Sequence, residues 1–324
     1  MSAFLVSLRN FQRKFQREVK MLVSAKKILE EANKNYYAVP ALNTSNLEIT
    51  KAIVKAGIEL NSPLIIQTTP SAIKYAGLRE LSGIVKSIAH NVNIPIALHL
   101  DHGNSIELVK KCLKNGYTSV MIDASQYSFN KNVNLTKKIV KLAHKRNVNV
   151  EAELGRLMGI EDKVKSKEGI FTDPIKAVEF VKKTKCDSLA ISIGTSHGAY
   201  KFKGNPKLNF KLLRIIKHEL NMPLVLHGAS GIPKKIVKIA NKYGAKIKHA
   251  KGIPDSKIRR AVKLGINKVN IDSDIRIAFD AAIRKQLKNE PKEFDPRNIL
   301  DPAMELITKI VKQKIILLGS VNKA

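Results

Sequence analysis

The chain has no tryptophan, 5% aromatic residues and two cysteines among its 324 residues. Cys112 and Cys186 lie far apart with neither metal-ligand nor redox spacing, which argues against a disulfide framework and for a reducing compartment. No apolar run approaches the length of a membrane span. No GxGxxG or phosphate-loop motif follows an early strand, and no HExxH places a zinc pair on one helix. Acid is scarce: 27 Asp and Glu stand against 58 Lys and Arg, a formal net charge of +31. A nucleic-acid binder concentrates such charge in blocks with interleaved aromatics, whereas lysine here is spread over nearly every helical segment. The charge therefore reads as solvated helix faces, whose field still attracts anionic substrates such as phosphates.

What is present is alternation. Residues 1–20 stand apart: Phe4, Leu8, Phe11, Phe15 and Val19 recur at helical spacing with Arg9, Arg13 and Arg17 between them. That basic amphipathic pattern reads as an appended arm, a targeting segment or a start placed ahead of Met21. From Met21 onward, strand-like runs at 37–43, 64–68, 94–103, 119–123, 148–153, 188–193, 224–226 and 268–271 alternate with helical patterns. Eight such units predict an α/β domain over 21–324: a single (β/α)8 TIM barrel with extra helices between the seventh and eighth strands and at the C-terminus. An open doubly wound sheet is the alternative. Asn104 and Glu107 have capping-box spacing for the helix after 94–103. The pattern places the last helix over 303–314 and a polar, glycine-bearing loop over 159–169.

Within 94–103 the run ends in Asp101, His102 and Gly103. Neighbours in a regular strand point to opposite faces, so Asp101 and His102 share a site only if the strand ends there, with Gly103 permitting the turn. A capping aspartate beside a chance histidine is the plainer alternative. Polar residues close other runs as well: Asn43, Asp123, Glu153, His227, and Asn270 with Asp272. The carboxyl ends of barrel strands are where sites are built. His102, His197 and His227 are each followed by glycine, which leaves room near the ring, and three neutral imidazoles converging on one point form an open zinc site. His90, His144, His218 and His249 lie in helical or polar stretches and read as surface histidines. Backbone N–H groups of Gly198, Gly228, Ser230 and the 270–273 loop can cradle phosphate, with Lys201 and Arg276 adding charge.

At this point the sequence resembles the class II, metal-dependent fructose-bisphosphate aldolases from about Met21 to the C-terminus. The motifs are Val39-Pro-Ala-Leu-Asn43, His99-Leu-Asp-His-Gly103, Glu151-Ala-Glu-Leu-Gly155, Gly194-Thr-Ser-His-Gly-Ala-Tyr-Lys201, His227-Gly-Ala-Ser-Gly231 and Val269-Asn-Ile-Asp-Ser-Asp-Ile-Arg276. A second Gly-Ile-Pro at 252–254 and the ending Leu318-Gly-Ser resemble the long form of the branch shared with tagatose-bisphosphate aldolases. The resemblance implies His102, His197 and His227 as zinc ligands, with Glu153 an alternative or second-site ligand. It implies Asp101 as the acid/base at the C4 hydroxyl and Glu161 as the loop carboxylate exchanging the proton at carbon. It implies Gly198, Lys201, Gly228 and Ser230 around the phosphate of the dihydroxyacetone half, and Asn43, Asn270 and Asp272 near its carbonyl and hydroxyls. Ser273 then contacts phosphate, and Arg276 grips the distal one.

The implied reaction is reversible cleavage of fructose 1,6-bisphosphate through a zinc-stabilised enediolate, in glycolysis and gluconeogenesis. The C4 epimer, tagatose 1,6-bisphosphate, is the alternative substrate. A basic nucleic-acid- or membrane-associated protein on the same barrel is the distant one, and it predicts salt-sensitive binding that survives loss of His227. The resemblance further implies a cytoplasmic homo-dimer or homo-tetramer. Other divalent ions in place of zinc, and a monovalent cation near the phosphate site, stay open. One stretch departs from the family pattern: Gln67-Thr-Thr-Pro-Ser-Ala72 carries Thr69 and Ser71 where serine and glycine are usual, next to the sugar hydroxyls.

Overall fold

The computed structural model describes residues 22–161, 164–166, 169–197, 206–248 and 250–324; for 158–161, 164–166 and 197 the backbone alone is described. The predicted barrel is present. Its strands are β1 Val39–Asn43, β2 Leu64–Thr68, β3 Ile96–Gly103, β4 Ser119–Ile122, β5 Asn149–Leu154, β6 Ser188–Ile191, β7 Leu224–Leu226 and β8 Ile266–Ile271. Each pairs in parallel with its neighbours in order, and β1 pairs with both β2 and β8, so no edge remains. Closure follows from the composition of the strands, which are buried on both faces and lack the one-sided polarity of a solvated sheet.

Alternation divides each strand between two surroundings. Leu42, Leu64, Ile66, Leu98, Leu100, Val120, Val150, Leu189, Leu224, Leu226, Val269 and Ile271 face outward into the main core against the helices. Their neighbours face the barrel axis. At the amino-terminal end these are Val39, Ala41, Ile65 and Ala97, which pack with Ala25, Ile28, Leu29 and Ala32 of the first helix, Ala25–Lys34. This helix closes that end like a stopper, anchored by the bond from Val23 N–H to the Ile96 carbonyl. Toward the carboxyl end the axis-facing positions turn polar, and the site begins there.

Helices start where the sequence supplies side-chain acceptors. Asn46, Asp173 and Asn209 each accept from a backbone N–H three residues on, at 2.9 Å. The helix after β3, Ile106–Lys114, is capped by Ser105, whose hydroxyl accepts from Leu108 N–H at 3.2 Å, and not by the expected Asn104. Helix Pro70–Ala76 has no counterpart in the sequence reading; the Thr69 hydroxyl caps it through Ala72 N–H at 3.2 Å. The last helix, Pro296–Leu318, is far longer than 303–314, because Asp295 caps it ahead of the interior Pro302. Helices Lys234–Lys242 and Asp255–Lys263 occupy the β7–β8 connection, as expected.

Both cysteines are free and buried, and burial pushes each thiol up to about 12. No helix among the described residues is long and apolar enough to cross a membrane. Residues 1–20, read as a basic arm, lie outside the described residues.

Candidate active site

Strand β3 does not stop at Asp101, as the alternation argument required. It runs to Gly103, and its register with β4 shifts between Leu100 and Gly103. His102 sits at φ +48, in the left-handed region that a non-glycine residue enters at a cost. That irregularity suspends the two-residue period, so Asp101 and His102 come to one side while the strand continues. Gly103 serves packing, not ligand room: a Cβ there would lie 2.3 Å from the Met121 carbonyl oxygen. The same holds at Gly228, at φ +60, where a Cβ would lie 2.5 Å from the Ser196 carbonyl oxygen. Both glycines let a histidine-bearing segment press against neighbouring backbone.

The His102 and His227 rings meet edge to face, with centroids 4.6 Å apart. Each is held by a carboxylate from another part of the barrel. His102 Nδ1 lies 2.9 Å from Asp123 Oδ2, and His227 Nε2 lies 2.7 Å from Glu151 Oε1. On the far side of each ring, His102 Nε2 is 3.8 Å from Asp101 Oδ1 and His227 Nδ1 is 3.2 Å from Glu153 Oε2. Ligand atoms of Asp101, His102 and His227 lie within 4.8 Å of one another, as do those of His102, Asp123 and Glu153. Imidazoles fixed by carboxylates on one nitrogen, with the other turned to a shared point, are what a metal centre requires. The donor set fits a divalent ion that accepts nitrogen and oxygen ligands.

Asp101 lies in a cradle of amides. Its Oδ2 accepts from Asn43 Nδ2 and Gln67 Nε2, both at 3.1 Å, and its Oδ1 accepts from Asn270 Nδ2 at 3.0 Å. Gln67 Nε2 also donates to Asn43 Oδ1 at 2.7 Å, which locks the amides to one another. Three strands thus fix both oxygens of one carboxylate, and buried Asn270 Oδ1 keeps acceptor capacity that no group among the described residues uses.

Beneath lies a fully buried layer that the sequence reading missed. Lys268 Nζ donates to Glu151 Oε2 at 2.7 Å, and His99 Nδ1 meets the Ser119 hydroxyl at 2.7 Å, with its Nε2 3.8 Å from Glu151. Burial alone raises a carboxyl, but Lys268 and His227 outweigh it and hold Glu151 well below the ordinary carboxylate range. Burial opposes charge on His227, yet Glu151 and Glu153 lift it to about 9. Burial, helped by Lys268, drives His99 well below the ordinary histidine range. Burial also works against charge on Asp123, but bonds from His102 and Ser125 keep it far below the usual value. The signal for this layer was a two-residue polar period inside apolar strands: His99 with Asp101, Glu151 with Glu153, Lys268 with Asn270.

Ser230, Asp272, Ser273 and Arg276 ring the same mouth. Ser230 Oγ accepts from Asp272 N–H at 3.2 Å, joining the turn after β7 to the end of β8. Ser273 opens helix Ser273–Asn289, whose N-terminus is a ready anion site. Exposed Arg276 donates Nε–H to Asp272 Oδ1 at 2.8 Å. A crevice of about 30 Å³ between them is lined by Asn43, Thr69, Asp272 and Arg276. Thr69, the departure from the family pattern, spends its hydroxyl on the helix cap. Stretch 159–169 is not irregular throughout: Met158–Glu161 and Val164–Ser166 form a hairpin, and Met158–Gly159 pairs in parallel with Ser196–His197. The backbone thus brings the strand ending in Glu161 beside the strand ending in His197. The side chains of both, and all of Gly198 and Lys201, lie outside the described residues.

Of the histidines read as surface residues, His90 and His218 are exposed, His144 bonds to Asp187 at 2.8 Å, and His249 lies outside the described residues.

Residues 23–323 match the family described as Fructose-bisphosphate aldolase class-II. The fructose-bisphosphate aldolase of Helicobacter pylori (strain ATCC 700392 / 26695) is 49% identical over 306 residues, covering 94% of this chain and 100% of that one. That of Thermus caldophilus is 46% identical over 306 residues with the same coverage. The crystal structure of the YdjI aldolase from Escherichia coli K12 superposes with a TM-score of 0.77 at 30% identity, covering 94% of this chain and 99% of that one.

Proposed function

The chain belongs to the class II fructose-bisphosphate aldolases, and from that premise we propose how its residues divide the cleavage of fructose 1,6-bisphosphate into dihydroxyacetone phosphate and glyceraldehyde 3-phosphate. The observation that carries the assignment is the pairing of two carboxylate-held imidazoles with a carboxylate cradled by amides, at the carboxyl end of one barrel. His102, His197 and His227 would hold zinc, with Glu153 beside them as an alternative ligand. When bound there, zinc supplies Lewis acidity toward the negative charge that develops as the carbon–carbon bond breaks.

Asp101 takes the proton from the C4 hydroxyl, and the oxygen's electrons form the aldehyde as the C3–C4 bond breaks. Asn43, Gln67 and Asn270 hold its oxygens in position for that transfer. The electron pair left at C3 takes a proton from Glu161, completing dihydroxyacetone phosphate. Two carboxylates on different elements thus work at oxygen and at carbon. Gly228, Ser230 and Ser273, with Gly198 and Lys201, receive the phosphate of this half, and Asp272 orients Arg276 toward the other phosphate.

Chelation followed by zinc restoration tests the reading. We expect cleavage of fructose 1,6-bisphosphate to vanish with the chelator and return with the ion. Activity indifferent to chelation would sink the metal mechanism, and higher kcat/KM on tagatose 1,6-bisphosphate would reassign the sugar.

We further propose that 21–324 forms the catalytic domain, that 1–20 is an arm, and that the chain assembles as a dimer or tetramer in the cytoplasm. Light scattering and localisation of the chain with and without residues 1–20 check these together; a monomeric mass, or a distribution outside the cytoplasm, refutes the matching part.

A further inference from the structure

The turn after β7 is held from behind by a buried lysine outside every motif named so far. Asp274, fully buried in the first turn of helix Ser273–Asn289, accepts from Gly231 N–H at 3.0 Å and Ile232 N–H at 2.6 Å. Lys314, from the C-terminal helix, places Nζ 3.0 Å from Asp274 Oδ2 and 3.4 Å from Asp255 Oδ1, with its side chain 8% exposed. Burial opposes its charge, but Asp274 and Asp255 outweigh burial and keep the ammonium above the ordinary lysine range.

The turn needs this support. Ile232 sits at φ +50, a region that β-branched residues avoid, so its shape is imposed by the bonds to Asp274 and not by local preference. Gly231 presses close to the lysine: a Cβ would lie 2.8 Å from Lys314 Nζ. On the other side, the second Gly-Ile-Pro packs against the first. Ile253 N–H donates to the Ser230 carbonyl at 3.1 Å, and a Cβ on Gly252 would lie 2.2 Å from that oxygen. A short turn that starts at His227 is thus set by three elements remote in sequence.

Resting on the reading that this turn receives a substrate phosphate, we propose that Lys314 is a positioning residue for substrate binding. It fixes the Asp274 carboxylate, which shapes the 227–232 turn and so pre-aligns Gly228 and Ser230 for the phosphate. The chemistry stays with Asp101 and the histidines; Lys314 acts on affinity.

The test compares full-length Lys314→Met, Lys314→Gln, Lys314→Arg and Ser230→Ala, all zinc-loaded. Measured are KM and kcat for fructose 1,6-bisphosphate, competitive inhibition by inorganic phosphate, zinc content and melting temperature. Lys314→Met is expected to raise KM and the phosphate inhibition constant about tenfold, the scale of a lost charged hydrogen bond, with kcat and zinc content held. Lys314→Arg should restore most of the affinity. Lys314→Gln, which keeps an N–H donor group without the charge and serves if the methionine variant fails to fold, should show a smaller rise in the same constants. A lower melting temperature with unchanged KM and phosphate inhibition would overturn the proposal, as would a parallel loss of kcat and zinc. Ser230→Ala separates the two layers of the argument. If phosphate inhibition is unchanged there, the phosphate reading of the turn fails. If it weakens there but not in any Lys314 variant, only the lysine's role fails.

Discussion

Asp101→Asn is expected to lower kcat for fructose 1,6-bisphosphate cleavage by roughly 10²–10⁴-fold, the range for a general acid–base group, with KM nearly unchanged. The carboxylate is an acceptor-only group facing three amide donors, from Asn43, Gln67 and Asn270. An asparagine there cannot accept at both positions, so one donor loses its partner and the proton has nowhere to go. Zinc content decides what kind of loss this is. Asp101 also lies within ligand distance of His102 and His227. Retained zinc with lost turnover supports a base; zinc lost with turnover would make Asp101 a ligand and sink the assignment. Gln67→Ala is the companion variant. It removes one donor and keeps the carboxylate, so its loss should be nearer tenfold.

Glu151→Gln carries the second large effect, and it should appear in two measurements at once. Glu151 holds His227 on one oxygen and Lys268 on the other, both at 2.7 Å and fully buried. Weakening the grip on a metal-binding histidine from behind lowers metal affinity by roughly 10–100-fold. Leaving a buried lysine without its counter-charge lowers stability by about 3–5 kcal/mol. Zinc titration and denaturant unfolding read the two separately. Glu151→Gln combined with Lys268→Met removes the stranded charge, so stability should recover while zinc affinity stays low. Affinity that recovers along with stability would show that Glu151 supports the fold alone.

The sequence was most legible where one physical signal dominated. Strands 64–68 and 224–226 emerge with the bounds that their apolar runs mark. The strand-end residues also meet in space: His102, His227, Glu153, Asp101, Asn43 and Asn270 come together from four strands and the turn after a fifth. What failed had local causes. A regular-strand rule could not foresee the left-handed His102, which lets β3 pass through the site without ending. The last helix, expected over 303–314, begins before Pro302, which is an interior residue of a long helix. Lys268 and His99 were passed over because lysine in a strand reads as solvent-facing, and only closure of the barrel makes the axis the place where polar side chains meet. Lys314 was still less legible, since its partner Asp274 belongs to a different helix.

The alternation of the barrel strands sorts the effects of random substitution. Outward positions such as Leu98, Val150 and Val269 hold strands to helices, and damage there removes folded protein from the cell. Axis-facing residues of the same strands at the site, Asp101 beside Leu100 and Asn270 beside Val269, meet polar partners, and many changes there leave an abundant but silent protein. In a saturation survey scored for both abundance and turnover, adjacent columns along one strand would fail for opposite reasons. A lineage can therefore drift in one set while selection holds the other, although the two are separated by a single peptide bond.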